Sequence, residues 1–209
     1  MSSVPEDTPD TREQLLDTAA RLMRENDTID VSLSELSKAS GLNSALVKYY
    51  FGNKAGLMRS LMEREMVDIL DGVAKLRRSE LDPQTKLRIH IEEVVDKFFE
   101  VPFIQLLLMR LIRESLPNEA QRLAEAYLKP VYDLHAAMIA EGVSAGVFRP
   151  VDSQLFYFTL IGSADRFFAA REMLRHCFGE DSLTEELRDR YRAHAVDFIM
   201  AGVLNGKDG

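Results

Sequence analysis

The sequence predicts an all-α fold, and three observations lead to that prediction. Apolar residues recur at helical spacing along most of the 209 residues. Capping residues, glycines and prolines stand between these periodic segments. No set of alternating apolar and polar segments is present from which a sheet could be built. With 46% hydrophobic and 29% charged residues, the chain has the material for a sizeable core.

The pattern predicts about nine helices. In the first half of the chain, Ser32 and Glu35 have the spacing of a capping box. Gly41 ends the helix that they begin, because glycine adopts a left-handed backbone without a Cβ clash. Asn43 and Asn53 are the expected N-caps of the next two helices. The predicted helices cover residues 11–26, 32–40, 43–50, 53–78, 84–100, 103–115, 118–145, 153–177 and 184–204.

The second half of the chain offers fewer boundary signals. Asp82 followed by Pro83 is typical of a helix start. Pro130 is expected to kink the long helix at 118–145, because proline removes one backbone N–H. The clearest loop in this half is GVFRP at 146–150.

The charge balance limits the partners of the protein. The net charge is −8, so nucleic acid and anionic membranes should repel the molecule as a whole. Segment 32–57 departs from this balance, since it contains three lysines and a single acid, Glu35. The first residues lack the apolar run of a signal peptide, and no stretch is long and apolar enough to span a bilayer. A single cysteine, Cys177, excludes an intramolecular disulfide, and we expect a cytoplasmic protein.

Segment 33–47 has the spacing of a helix-turn-helix. A small residue lets the two helices approach, a glycine makes the turn, and a branched apolar residue seals their contact. Counted from Leu33, these features are Leu36 at the fourth position, Ser37 at the fifth, Gly41 at the ninth and Val47 at the fifteenth.

The second helix of this motif leaves small or hydrogen-bonding side chains exposed, as a helix that enters a DNA major groove requires. Lys54 stands at the start of the following helix, where backbone N–H groups and a lysine together favour a phosphate. The alternative is an αα-hairpin with solvated lysines. Because the capping box, Ser37, Gly41 and Val47 agree in register, we predict DNA binding. The exposed residues are Asn43, Ser44, Ala45, Lys48 and Tyr49.

Residues 11 to about 60 resemble the N-terminal domain of the tetracycline-repressor (TetR) family of bacterial transcription regulators. The likeness lies in TREQLLDTAARLM and SLSELSKASGLNSALVKYYFGNKAGL. Phe51 and Lys54 match the family pattern, which implies a core wedge and a phosphate clamp. Lys48 replaces the usual tyrosine, so the aromatic function falls to Tyr49 or Tyr50, and Tyr50 is either a phosphate contact or a core residue. The positions that contact DNA in relatives correspond to Ser34, Ser44, Ala45 and Tyr49.

The last two helices are predicted to hold a symmetric dimer. The segment FYFTLIGSADRFFAA is apolar around much of its circumference, and helices of that kind are buried. One recognition helix reads few base pairs, so specificity requires two half-sites roughly 34–36 Å apart. The alternative is that this segment is the centre of a monomeric bundle. Asp165 and Arg166 within it pair across the dimer, point into a cavity or mark an exposed edge.

The larger domain is also predicted to bind a small molecule. The family resemblance implies an inducer, and a pocket between helices is usually apolar with a few polar groups. Considered one at a time, aromatic side chains at helical spacing are more typical of a filled core than of a pocket. His135 is likewise more typical of a hydrogen-bonded or exposed histidine than of a ligand contact. The predicted pocket consists of Phe99, Phe103, Leu107, Arg110, Tyr127, His135 and Phe167.

No catalytic motif is present in the sequence, which lacks a nucleophile elbow, a glycine-rich phosphate loop and an HExxH motif. The four histidines do not have the spacing of helical metal ligands.

We predict a non-enzymatic repressor without cofactor or metal, which binds a palindromic DNA operator as a homodimer and is released by a small, mostly apolar ligand. The alternatives are a DNA-associated scaffold that responds to a protein partner and, more remotely, an all-α enzyme. The predicted parts are a disordered tail at 1–10, a helix-turn-helix domain at 11–57 and a ligand-binding and dimerisation domain at 58–209.

Overall fold

The computed structural model describes residues 9–206, which form ten helices and no β-strand. This confirms the predicted all-α class. Residues 1–8 of the predicted tail lie outside the described residues, while Pro9 and Asp10 already belong to the first helix. The helices are α1 (Pro9–Asn26), α2 (Leu33–Ser40), α3 (Ala45–Phe51), α4 (Lys54–Arg78), α5 (Pro83–Glu100), α6 (Ile104–Glu114), α7 (117–144), α8 (Ser153–Phe168), α9 (Arg171–Phe178) and α10 (Glu185–Val203).

The turn between α2 and α3 forms as its sequence predicts. The hydroxyl of Ser32 accepts the N–H of Glu35 at 3.1 Å, and the Glu35 carboxylate accepts the N–H of Ser32 at 2.8 Å, which completes the capping box. Gly41 has a φ of 72° and donates its N–H to the Ser37 carbonyl. The Ser37 hydroxyl in turn donates to the Leu42 carbonyl, so this side chain ties the turn together as well as leaving room for it.

The start of α4 is fixed directly against the end of α3. The side chain of Asn53 accepts the N–H of Gly56 at 2.9 Å, as expected of an N-cap. A Cβ on Gly56 would lie 2.0 Å from the Phe51 carbonyl oxygen, so only glycine allows this close approach. The position of Lys54 relative to α3 is therefore set by the backbone.

Helix α7 contains a widened turn where the sequence predicts a kink. The helix consists of two α-helical segments, Pro117–Leu123 and Lys129–Ser144, joined by a π-helical turn at Ala124–Leu128. Pro130 has no N–H to continue the ordinary i to i−4 ladder. Immediately before it, the N–H of Lys129 bonds to the carbonyl of Ala124, five residues back. The helix thus accommodates the proline with one wide turn.

The predicted single helix at 153–177 is wrong, because the chain divides it into α8 and α9. Ala169 and Ala170 separate the two, and Ala170 leaves the helical region with φ −98° and ψ 37°. Alanine is a strong helix former, so local propensity gives no sign of this break. Phe168 at the end of α8 is fully buried, and its ring packs edge-on against Phe99 and Tyr191. Tertiary packing overrides the local preference here.

Helices α4 and α5 hold the described part of the chain together. Helix α4 packs against α1 and α3 on one side and against α5, α6 and α7 on the other. Helix α5 packs against α7, α8 and α10. The predicted boundary at residues 57 and 58 therefore falls inside a continuous helix, and one apolar core extends across it. No helix within residues 9–206 is long and apolar enough to cross a bilayer.

Candidate nucleic-acid interface and internal cavity

The exposed face of α3 carries the residues predicted to meet DNA. Ser44, Ala45, Lys48 and Tyr49 are all exposed, whereas Val47 on the opposite face is only 1% exposed. Tyr49 is 63% exposed, and its ring stands edge-on to that of Tyr50 at 4.9 Å. The helix is thus sealed on one face and open on the other, as a recognition helix must be.

The remaining predicted DNA contacts flank this face. Ser34 is exposed in the first turn of α2, and Tyr50 is half-buried. The side-chain oxygen of Asn43 accepts the N–H of Ala45 at 2.8 Å, so only its amide nitrogen is left for a partner. Lys54 is half-buried as the first residue of α4.

The one acid in segment 32–57 is engaged in the fold. The carboxylate of Glu35 accepts hydrogen bonds from Ser32, which lower its pKa, and the nearby charge of Lys54 lowers it further. Glu35 is therefore firmly ionised, and it is held at the helix cap. Segment 32–57 still has more positive than negative charge, with three lysines against this one carboxylate.

Helix α1 supports this surface through two contacts that the sequence pattern did not indicate. The guanidinium of Arg12 lies 5.4 Å from the centre of the Phe51 ring, a cation–π distance. The side chain of Gln14 donates to the Ser40 carbonyl at 3.1 Å. Both residues are ordinary polar positions on an amphipathic helix, so no local signal identifies them.

A cavity of about 330 Å³ lies between α4, α5, α6, α7 and α8. Its walls are mostly apolar, and α4 contributes one of them with Met66, Ile69, Gly72 and Val73. The π turn of α7 brings Tyr127 into the opposite wall. The other lining residues with apolar or aromatic side chains are Val94, Phe98, Ile104, Leu108, Leu128, Val131, Tyr157 and Ile161.

A pair of buried histidines stands at the back of this cavity. His90 lines it, and its Nε2 lies 2.6 Å from Nε2 of His135. Burial lowers the pKa of both imidazoles well below the ordinary 6.5, and the neighbouring His90 lowers that of His135 further. Both rings are therefore neutral, with one Nε2 as donor and the other as acceptor. Nδ1 of His135 is buried without a partner.

The rim of the cavity is acidic. Burial raises the pKa of Glu93, and Lys75 opposes this shift. Asp96 accepts two hydrogen bonds from Arg192, at 2.9 and 3.0 Å, so its charge is compensated. Asp68 and Glu100 complete the acidic part of the lining, and Lys97 lies 3.8 Å from Glu100. A ligand would meet apolar walls inside and charged groups at the entrance.

The predicted pocket residues do not all meet at this cavity. Tyr127 lines it, and His135 lies directly behind His90. Phe103 and Leu107 are buried core residues, and Arg110 pairs at the surface with Asp30 at 2.5 Å and Glu114 at 2.9 Å. Phe99 and Phe167 line two other depressions. The prediction weighted large aromatic side chains and omitted α4, whose small and aliphatic residues form a wall.

A groove of about 760 Å³ runs along α8, α9 and α10. Phe158 and Phe198, which are 65% and 69% exposed, lie on the helices that border it. Arg166 lines the groove, whereas Asp165 is half-buried and burial raises its pKa. Neither residue lines the 330 Å³ cavity. Within residues 9–206, no three His, Cys, Asp or Glu side chains are placed to hold a metal ion.

An exposed recognition helix, joined through one long helix to a larger α-domain with a mostly apolar cavity, defines a helix-turn-helix transcription regulator. Two family models match the chain. "Bacterial regulatory proteins, tetR family" matches residues 15–61, and "Tetracyclin repressor-like, C-terminal domain" matches residues 80–208. The protein therefore belongs to the tetracycline repressor family, as its N-terminal motif predicts. Because these families are regulators, it is not an enzyme.

Individual relatives are distant. The regulator BetI 1 of Chromohalobacter salexigens is 27% identical over 92 residues, which span only 44% of either chain. The repressor NicS of Pseudomonas putida is 24% identical over 198 residues, covering 94% of this chain and 92% of that protein. The regulator FadR of Bacillus subtilis, solved in complex with stearoyl-CoA, has a TM-score of 0.65 at 17% identity, covering 91% of this chain and 98% of that one. This last likeness shows the fold alone.

The histidine pair makes stability depend on pH. His90 and His135 stay neutral in the folded protein, whereas in the unfolded chain they bind protons near pKa 6.5. Stability is therefore lost as the pH falls below that value, by about 2 kcal/mol per histidine between about pH 7.5 and about pH 5. Chemical denaturation at both pH values should show that His135→Gln loses less stability than the wild type. His176→Gln is the control, because His176 is exposed and lines neither the cavity nor the groove. Equal pH dependence in all three proteins would contradict this role of the buried histidine pair.

Proposed function

We propose that the protein is a repressor that binds a palindromic operator as a homodimer and is released by a small, mostly apolar ligand. The observation that carries the DNA-binding part is α3, which buries Val47 and exposes Lys48 and Tyr49. Insertion of this helix into the major groove presents hydrogen-bonding side chains to base edges. NicS aligns with nearly the whole chain and is named a repressor, which supports repression rather than activation.

The DNA contacts fall into two kinds. Lys54, at the N-terminus of α4, meets a phosphate, since helix N-termini and lysine both favour anions. Lys48, Ser44 and Tyr49 face the groove from α3. Ser34, Asn43, Ala45 and Tyr50 complete the proposed interface, with Asn43 acting through the amide nitrogen that its capping role leaves available.

A dimer is supported by the apolar surface on α8 and α10. Leu155 and Phe158 of α8 and Phe198 of α10 are each more than half exposed, an unfavourable arrangement for an isolated chain in water. Packing the same face of a second copy against it buries these rings. It also supplies the second recognition helix that two half-sites require.

Ligand release is supported by the 330 Å³ cavity, whose size and mostly apolar lining are typical of small-molecule sites. His90, Gln105, Tyr127 and Tyr157 are the uncharged polar side chains in its lining that could orient a ligand. A ligand that presses on Gly72 or Val73 displaces α4, the helix that begins beside α3. In a dimer, such displacement changes the spacing of the two recognition helices. The alternative is a regulator that responds to a protein partner. A filled core in place of this cavity would favour that alternative.

Two lysines should respond differently to replacement. Lys54→Ala should weaken binding about uniformly across operator sequences and reduce the salt slope by about two for a dimer, because one phosphate contact is lost per half-site. Lys48→Ala should cost roughly 1–3 kcal/mol per half-site on the preferred operator and less on variants. Both are measured by binding to an operator library at two salt concentrations. If Lys48→Ala weakens every variant equally, Lys48 contacts only the backbone, and Ser44 and Tyr49 select the bases.

Replacement of Phe198 by Asp should dissociate the dimer, because it places two charges in the apolar interface. Light scattering coupled to size exclusion should give twice 23.7 kDa for the wild type and 23.7 kDa for Phe198→Asp. Leu116→Asp is the matched control, since Leu116 is similarly exposed, at 76% against 69% for Phe198, but lies outside α8 and α10. A monomeric wild type that still binds the operator would rule out the proposed assembly.

Filling the cavity should uncouple ligand from DNA. A Cβ on Gly72 would have only Glu93 Oε2 nearby, at 3.9 Å, so Gly72→Leu projects a side chain into the free space. We expect it to retain operator binding and lose release by a ligand found through thermal-shift screening. Asp71→Leu, an exposed neighbour that does not line the cavity, should behave as wild type. Ligand and DNA must weaken each other's binding by the same factor, so equal affinity of the ligand for free and DNA-bound protein contradicts the mechanism.

A further inference from the structure

A second cavity lies where α1 meets the larger domain. Its volume is about 480 Å³, and it is lined by the end of α1, the end of α5, α9 and residues 180–183. It shares only Glu100 with the apolar cavity between α4 and α8. The two are therefore separate sites with different linings.

Three arginines line this second cavity: Arg24 from α1, and Arg171 and Arg175 from α9. The Nε of Arg171 is buried without a hydrogen-bond partner. Its ion pair with Asp27 spans 3.9 Å, too long for a hydrogen bond. Burial lowers the pKa of Arg171, and the charges of Arg24 and Arg175 lower it further against the opposing effect of Asp27. The positive charges of these three arginines therefore repel one another, and Asp27 offsets this repulsion only in part.

The acids in the lining do not neutralise the arginines, because most of them are paired with cations outside the cavity. Arg175 itself reaches an acid only at the exposed surface, where it pairs with Glu172 at 3.4 Å. Within the described residues, Arg24 makes no ion pair, and Asp181 is the one lining acid without one. The outward pairs are Glu25 with Arg21, Glu100 with Lys97, and Glu180 with Arg190.

We infer that the 480 Å³ cavity is a second ligand site, which binds a small organic molecule bearing a phosphate group through Arg24, Arg171 and Arg175. A guanidinium donates in a planar fork that matches phosphate oxygens. Three such groups suit the three terminal oxygens and the double charge of a phosphate monoester better than the two oxygens of a carboxylate. Phe99, Leu174 and Leu183 give the cavity an apolar floor for the rest of the molecule.

An anion bound here connects the two halves of the protein. Arg24 belongs to α1 of the helix-turn-helix domain, whereas Arg171 and Arg175 belong to α9. A shared phosphate replaces repulsion between these helices by hydrogen bonds from both of them. The site is defined by its own lining, so its occupancy does not depend on the proposed operator or on the apolar ligand.

Inorganic phosphate and pyrophosphate are the probes for this site, titrated by calorimetry into the full-length protein at constant ionic strength, with citrate as the carboxylate comparison. We expect saturable binding that is tighter for pyrophosphate than for citrate. Arg171→Gln and Arg175→Gln should each weaken it by at least about tenfold, because a charged hydrogen bond is lost. Arg122→Gln, an exposed arginine of α7 that does not line the cavity, should leave it unchanged.

Two further variants separate a binding site from a merely structural cluster. Asp27→Asn should tighten pyrophosphate binding, because it removes the acid paired with Arg171, and asparagine tolerates the φ of 51° at this position. Without phosphate, Arg171→Gln should keep or raise the melting temperature, since it relieves repulsion. Equal pyrophosphate affinity of Arg175→Gln and Arg122→Gln, or the absence of saturable binding, overturns the proposal. Tighter binding of citrate than of pyrophosphate overturns the phosphate assignment.

Discussion

The continuity of α4 is the constraint on which the rest of the structure depends. Its 25 residues span on the order of 37 Å without a break. The first turn, at Lys54, is fixed against α3 by the glycine at position 56. Further along, Arg64 bonds to Glu13 and Asp17 of α1. Beyond that, the wall at Gly72 faces the cavity. The surface proposed to read DNA and the space proposed to hold a ligand are thus two ends of one rigid element.

Polar contacts add little to the fixed orientation of the two halves. Asp30 before α2 meets Arg110 of α6, and Asp27 after α1 lies 3.9 Å from Arg171 of α9. The Asp30–Arg110 pair is solvent-exposed and adds little stability, and the Asp27–Arg171 pair is too long for a hydrogen bond. The packing of α4 therefore carries most of the connection. A ligand needs only a modest difference in affinity between two orientations to shift the balance between them.

Features that depend on neighbours within a few residues could be predicted from the sequence. The capping box at Ser32, the left-handed Gly41 and the cap at Asn53 need only the adjacent backbone, and all three are present. The break after Phe168 could not be predicted, because rings distant in sequence hold that residue. The family resemblance predicts a pocket in the larger domain, but the sequence does not show which residues line it. A cavity lies where side chains fail to meet, which depends on the rotation of each helix, so a small residue such as Gly72 gives no sequence signal.

The π turn in α7 has a consequence for comparing this chain with its relatives. A π turn holds one residue more than an α-turn, and one residue corresponds to about 100° of rotation around a helix. The residues of Lys129–Ser144 are therefore rotated relative to Pro117–Leu123, compared with their places in an unbroken α-helix. A homologue with an unbroken helix would require a one-residue gap in the alignment near Tyr127. Without that gap, every later position of α7 would be matched to a residue on the wrong face.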